Sequence, residues 1–299
     1  MSVLPKTRRS ARWFDLALLF LLAVIWGSSF LVIKVAVETI PPTLLTASRL
    51  VIAALVLTTI IYLTKQSLPR RLHDWVACLF VGFFGNVLPF SLIHWGETHV
   101  DSGLAAILMG TMPIVVTLLA HLFIQDERLN IKRLSGVTVG FSGLVILVGW
   151  HNLSHLGDAL LSQLAIVGGA CCYAITTIYV RRYVSASNLS MAAGSMVTGA
   201  LMALVLSGMS LPPPPYPISS ASVLAALFLG LISTALATLI YFRLLSRIAA
   251  TTFAQVNNLV PAIGALLGII FLNEHLSGQQ LLALLLILSG IYIINHAHR

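Results

Sequence analysis

The sequence predicts an all-α membrane protein of ten transmembrane helices, built as two inverted five-helix repeats around a central cavity. Three observations predict it. The 299 residues are 58% hydrophobic and only 9% charged, with a mean hydropathy of +0.98, whereas soluble domains carry about 25% charged residues. Ten apolar runs are each close to the roughly 20 residues that cross a bilayer. The last five runs echo the first five in order and spacing.

The elements follow in order. Residues 1–13, MSVLPKTRRSARW, are a basic cytoplasmic N-terminus. A signal peptide would have a short apolar region and a small-residue cleavage site, whereas the run from Phe14 to Val37 is long enough to span. TRRS reads as positive-inside charge rather than as a twin-arginine signal. Residues 14–150 form the first repeat. Its spans are 14–36, 43–64, 74–96, 102–124 and 131–150. Pro41 and Pro42 open the second of these, where a missing N–H costs little. Residues 158–296 form the second repeat, with spans 160–182, 188–209, 221–243, 250–272 and 277–296. Its longest break is SGMSLPPPPYPISS, a polar, proline-rich loop.

Charge sets the orientation. With the N-terminus in the cytoplasm, all but two of the 17 Lys and Arg fall on the cytoplasmic side. The two exceptions, Lys34 and Arg49, lie toward the outer ends of the first two spans. This asymmetry puts both termini in the cytoplasm. The net charge of +8 is spread between apolar runs, so the chain is not expected to bind nucleic acid. Cys171 and Cys172 are adjacent, and with Cys78 they give no disulfide framework. No Cys/His spacing suggests zinc, and neither metal nor cofactor is expected.

The repeat rests on matched landmarks. Pro113 pairs with Pro261, Glu127-Arg-Leu with Glu274-His-Leu, and Gly143 in FSGLVIL with Gly290 in LSGIYII, at an interval constant to one residue. Trp26 falls over Tyr173 and Lys34 over Arg181. Five spans is an odd number, so the second copy is upside down. Inverted repeats are a feature of transporters, whose sites lie at the midplane between the halves.

At these residues the sequence resembles the drug/metabolite transporter superfamily, in particular its EamA-type ten-helix exporters. The likeness is carried by IWGSSF in span one, Arg49, the Pro113–DERL block followed by SGLVIL, YFRLLSRIAAT, and the Pro261–NEHLS block. It covers residues 15–296 and, within the family, is similar to YddG-like amino-acid exporters. The resemblance implies a bacterial inner-membrane exporter of amino acids, uncharged and hydrophobic or aromatic, and of related small metabolites. It implies alternating access, a monomer, and the lipid bilayer as the surrounding partner.

The residues themselves point to a site. Trp26, Asn86, Pro113, Tyr173, Ser233, Thr234 and Pro261 fall near the midplane. Proline cannot donate to the carbonyl four residues earlier. Pro89, Pro113 and Pro261 therefore free the carbonyls of Gly85, Met109 and Asn257, which only protein or a water-filled cavity can satisfy. A substrate ammonium would meet these carbonyls, and its carboxylate the amides of Asn86, Asn257 or Asn258. Trp26 and Tyr173 would hold an apolar side chain. The three prolines are expected bending points. Gly136 and Gly140, like Gly264 and Gly268, form GxxxG packing faces. The asparagines of span nine, which the first repeat lacks, place the polar end of the site there.

Proton coupling is not expected, because the nine acids lie at span ends or in loops and proton relays need Asp, Glu or His inside the membrane. His94 and His121 read as interface residues, and Lys34 and Arg49 as snorkelling or paired with Glu38, Glu97 or Asp101. Facilitated, gradient-driven export follows. Two rival readings remain. A transporter of anionic or phosphorylated metabolites would rely on Arg49. An intramembrane serine hydrolase would rely on GFSG around Ser142, which lacks an evident base. No enzyme activity is expected.

Overall fold

The computed structural model describes residues 6–124, 130–148, 158–184, 189–209, 217–245, 247–248, 253 and 256–296. Helix dominates, and no strand occurs among the described residues. The helical segments run α1 Lys6–Val37, α2 Pro42–Leu63, α3 Leu72–Gly96, α4 Ser102–Phe123, α5 Ile131–Val148, α6 Asp158–Tyr183, α7 Leu189–Met209, α8 Ser220–Leu244, α9 Val256–Leu272 and α10 Gly278–His296. Eight of them are long and apolar enough to cross a membrane. The shorter two are α5 and the apolar α9. Glu127 and residues 210–216 of the proline-rich loop lie outside the described residues.

Boundaries follow local chemistry. Pro42 occupies the first turn of α2, where its fixed φ suits a helix start. The α1 helix begins at Lys6 rather than 14, because the basic leader continues the same helix. Three helices depart from regular α geometry. In α3, residues Phe83–Val87 form a π-helical turn just before Pro89. In α8, Leu229–Leu236 do the same, one repeat interval later. In α4, the helix stops at Met109 and restarts at Met112. Pro113 has no N–H for the Met109 carbonyl. Thr111 instead closes a tighter turn, its N–H and Oγ1 both donating to Leu108 O at 3.1 and 2.7 Å. Pro261 has no such effect, and α9 runs through it unbroken.

The packing has an exchange symmetry. Helix α5 pairs with α10, α2 with α7 and α4 with α9, each uniting counterparts from the two halves. The remaining main contacts come in matched sets: α1 on α9 with α6 on α4, α3 on α6 with α8 on α1, and α3 on α7 with α8 on α2. The tightest approach is between α5 and α10, where a Cβ on Gly290 would lie 2.6 Å from both Gly136 O and Gly140 N. Small residues at that crossing let the two backbones touch.

The outward faces are apolar. Leu201, Leu204 and Val205 on α7, Ile270 and Phe271 on α9, and Leu282 and Leu285 on α10 are exposed. Hydrocarbon satisfies such a surface, and a soluble monomer rarely shows one.

Candidate functional site

The densest polar constellation at the interface of the halves is built by α2, α3 and α8. Arg49 lies about 10 Å into α2 from its start and shares a face with Thr46. Phe90 and His94 are one turn apart on α3, their rings stacked with centroids 6.0 Å apart. Arg49 is only 5% exposed and His94 is fully buried. The Arg49 guanidinium lies over the Phe90 ring, with Cζ 3.8 Å from the centroid. Its Nε donates to Thr234 Oγ1 at 2.8 Å, and its Nη1 faces His94 Nε2 at 3.4 Å.

The proton positions in this cluster follow from its donors. A guanidinium only donates, so His94 Nε2 accepts and the imidazole carries its proton on Nδ1. That proton goes to Thr46 Oγ1 at 2.9 Å, and the Thr46 hydroxyl donates to Pro42 O at 2.9 Å. His94 is therefore neutral here. On the α8 side, Thr234 Oγ1 accepts from Arg49 and donates to Leu229 O, five residues back, at 2.8 Å. The π turn thus supplies both the spare carbonyl and the hydroxyl that satisfies it. π-helical turns are frequent at functional positions.

Two expectations are corrected. Arg49 neither snorkels nor pairs with an acid: it points inward, and it makes no ion pair among the described residues. His94, expected near a membrane surface, lies in the last turn of α3 and is enclosed there, fully buried against Thr46 and Arg49 of α2. Sequence counting missed both because burial of these side chains is decided by which helices cross there. The available signal was the intramembrane arginine itself, since such a residue is functional by default.

Asn86 is buried in the α3 π turn and sits beside Gly199 of α7. Its Nδ2 donates to Val81 O at 3.4 Å, the same five-residue reach as Thr234 in α8. The amide thus serves the π turn, and the Gly85 carbonyl expected to be freed by Pro89 belongs to that turn. Tyr173 packs against Phe90, ring centroids 6.5 Å apart, and touches both the core around α2 and the one that includes Met109. Trp26 lies elsewhere, 6.2 Å from Tyr241 in the core of α1, α8 and α9. Trp26 and Tyr173 share no ring contact among the described residues.

The α4 break and the α9 proline meet. A Cβ on Gly110 would approach Pro261 Cγ to 3.0 Å. Asn257 and Asn258 are half-buried one turn before Pro261 on α9. Gly264 lies against Ala106 of α4 and Gly27 of α1, so it serves helix packing. Gly268 has a different use. Its missing side chain leaves room for the Glu274 carboxylate, which accepts from Ser102 N and Gly103 N, both at 2.8 Å. Glu274 thereby caps the N-terminus of α4, where a negative charge is favoured.

The C-terminal end of α3 holds Lys34 and Glu97. Lys34 Nζ donates to the carbonyls of Glu97 and Val100 at 2.9 and 2.8 Å, closing the C-terminus of α3. The Glu97 carboxyl is fully buried, and neither oxygen has a hydrogen-bond partner. Burial pushes it well above the usual carboxylate range, against the pull of Lys34. Ser142 is exposed on α5, and its hydroxyl donates to Val139 O of its own helix. His121 is exposed on α4.

Comparison with known proteins adds a family. The model described as the EamA-like transporter family matches twice, over residues 13–149 and 160–296. The uncharacterized transporter YoaV of Bacillus subtilis is 27% identical, covering 90% of this chain and 92% of its own length. The protein PagO of Salmonella typhimurium is 29% identical, covering 94% and 93%. A probable amino-acid metabolite efflux pump of Escherichia coli is 26% identical, covering 93% and 94%. A solved crystal structure superposes with a TM-score of 0.68 at 19% identity, over 94% of this chain and 96% of that one, a likeness of fold.

Proposed function

Because the chain belongs to the EamA-like transporter family, we propose that it exports amino acids, chiefly uncharged hydrophobic or aromatic ones, and related small metabolites across a bacterial inner membrane. The doubled architecture carries this reading. The family model matches twice at the repeat interval, and both third helices of the halves, α3 and α8, carry a π turn at corresponding positions. The main helix contacts fall into matched sets when the halves are exchanged. These features support ten membrane spans in two inverted repeats, residues 14–150 and 158–296, with both termini in the cytoplasm and a central path between the halves. The Escherichia coli relative's printed name supports the substrate class.

In this reading the α4 break exposes the Met109 carbonyl, and Asn257 and Asn258 face the same path from α9. These oxygens receive the substrate ammonium. Tyr173 and Trp26 take its apolar side chain at different stages of transit, consistent with their separate surroundings. Pro113, Pro261 and Pro89 mark where helices bend as access alternates. The protein acts as a monomer, and flux follows the substrate gradient. Purified protein in liposomes tests this by efflux of an amino-acid panel, with Asn258→Ala as a probe. The variant is expected to fold normally and lose flux several-fold. Unchanged flux would return Asn258 to helix packing.

One observation favours the second reading, an anionic substrate. Arg49 is a buried cation that makes no ion pair among the described residues. A phosphorylated solute would call for further basic groups, and Lys34 is committed to the α3 carbonyls. The amino-acid reading therefore leads.

A further inference from the structure

We propose that Arg49 is the carboxylate-recognition group of the transport path: its guanidinium is held inside the protein by neutral partners so that the carboxylate of the solute supplies the missing negative charge. The inference rests on the transporter reading and names what the solute must carry.

The cost of the arrangement is the first argument. A buried charge with no opposite charge is destabilising, and apolar residues of similar size would do better structurally. A guanidinium keeps its charge at physiological pH. Thr234 and His94 offer it two acceptors but no charge, and His94 is fixed as a neutral acceptor by its bond to Thr46. Glu97 faces the same region from the end of α3. Neither of its carboxyl oxygens makes a hydrogen bond to Arg49 or to any other residue, and burial favours its protonated form. Glu274 is occupied by the α4 N-terminus. Lys34, the other nearby cation, is occupied by carbonyls.

The second argument is what remains open. Phe90 covers one face of the guanidinium, Thr234 takes Nε and His94 takes Nη1. Nη2 has no hydrogen-bond partner among the described residues. Its N–H groups, with the remaining one on Nη1, form the edge that binds a carboxylate in two-point fashion. Tyr173 packs against Phe90 and bridges to the core holding Met109. An amino acid can therefore place its carboxylate at Arg49 and its ammonium toward the α4 break.

The third argument is the repeat. At the matching positions of the second half stand Met196 for Arg49, Ala193 for Thr46 and Tyr241 for His94. The equivalent crossing, α7 on α3, is thus made without a charge. Helix packing alone does not require the arginine.

The test uses the purified full chain in liposomes and in detergent. Three probes share one aromatic body: phenylalanine, phenethylamine, which lacks the carboxylate, and 3-phenylpropanoate, which lacks the ammonium. Wild type is expected to carry phenylalanine at least about tenfold faster than phenethylamine, a ratio within reach of one two-point charged contact. 3-Phenylpropanoate should compete with phenylalanine and raise the melting temperature. Arg49→Gln should lose at least about tenfold of phenylalanine flux together with that thermal shift. Arg49→Lys keeps the charge without the fork, and it should cut the discrimination ratio severalfold. If Arg49→Gln does not fold, the ratio in Arg49→Lys decides. Equal wild-type flux of phenylalanine and phenethylamine would overturn the proposal, as would unchanged discrimination in Arg49→Lys. Protection by phosphate esters but by no carboxylate would overturn it too. If no amino acid moves while 3-phenylpropanoate still shifts wild type and not Arg49→Lys, the carboxylate site stands and the amino-acid reading fails. No response to any carboxylate overturns the site itself.

Discussion

At the scale of the residue, two buried ionisable groups define this protein. Arg49 stays charged and is surrounded by acceptors that carry no charge. Burial without a hydrogen-bond partner pushes the Glu97 carboxyl well above the usual carboxylate range, against the pull of Lys34 and Arg49. The second has a consequence for stability. An acid whose folded-state affinity for protons is raised binds more protons folded than unfolded, so stability falls as pH rises. The window opens at the ordinary glutamate value of 4.5 and extends upward to the raised folded-state value. Glu97→Gln, which mimics the neutral form, is expected to melt about 3 °C above wild type at pH 8. The two should converge near pH 4.5 in a detergent melting series. A wild type that gains stability between pH 5 and 8 relative to Glu97→Gln would show that Glu97 is ionised in the fold. Residue identity alone shows that Arg49 and His94 exist within spans. It does not show that α2 and α8 close over them, because that depends on contacts between segments far apart in the chain. The expected roles of Asn86 and Gly268 changed for the same reason. A local π turn claims the amide of Asn86, and a carboxylate from beyond the helix end fills the space beside Gly268.

At the scale of the element, the helices were legible from hydropathy and proline position, and their irregularities only in part. The start of α2 and the break in α4 follow from Pro42 and Pro113, whose missing N–H is a property of the residue. The π turns in α3 and α8 carry no comparable mark in composition, and they emerge only where Asn86 and Thr234 can reach a carbonyl five residues back. Pro261 shows the limit of the proline rule, since α9 continues through it while α4 breaks at its repeat mate. The break gives a prediction. Pro113→Ala restores an N–H for the Met109 carbonyl and favours a continuous α4. Melting temperature should hold or rise, while flux falls several-fold because a polar oxygen is withdrawn from the path. A variant with wild-type flux would make the break incidental.

At the scale of the whole molecule, the claim is two related halves around a shared path. The matching π turns, the paired helix contacts and the two family matches all repeat at one interval, and the charge asymmetry was visible in sequence from the start. Inversion itself is a statement about the membrane, and labelling tests it. In a background without Cys78, Cys171 and Cys172, single cysteines at Thr98 and His275 should react with an impermeant reagent from outside intact cells. A cysteine at Ser67 should react only after permeabilisation. Reaction of Thr98 and His275 from opposite sides would break the inverted arrangement.

The most direct test of the account is unidirectional flux of neutral amino acids through the purified protein in liposomes, measured with the internal and external pH held equal and again with a pH gradient imposed. Saturable flux down the amino-acid gradient is expected at equal pH, with little change when the proton gradient is added. Absence of flux for every amino acid would contradict the transport reading, and flux seen only with a proton gradient would contradict gradient-driven export.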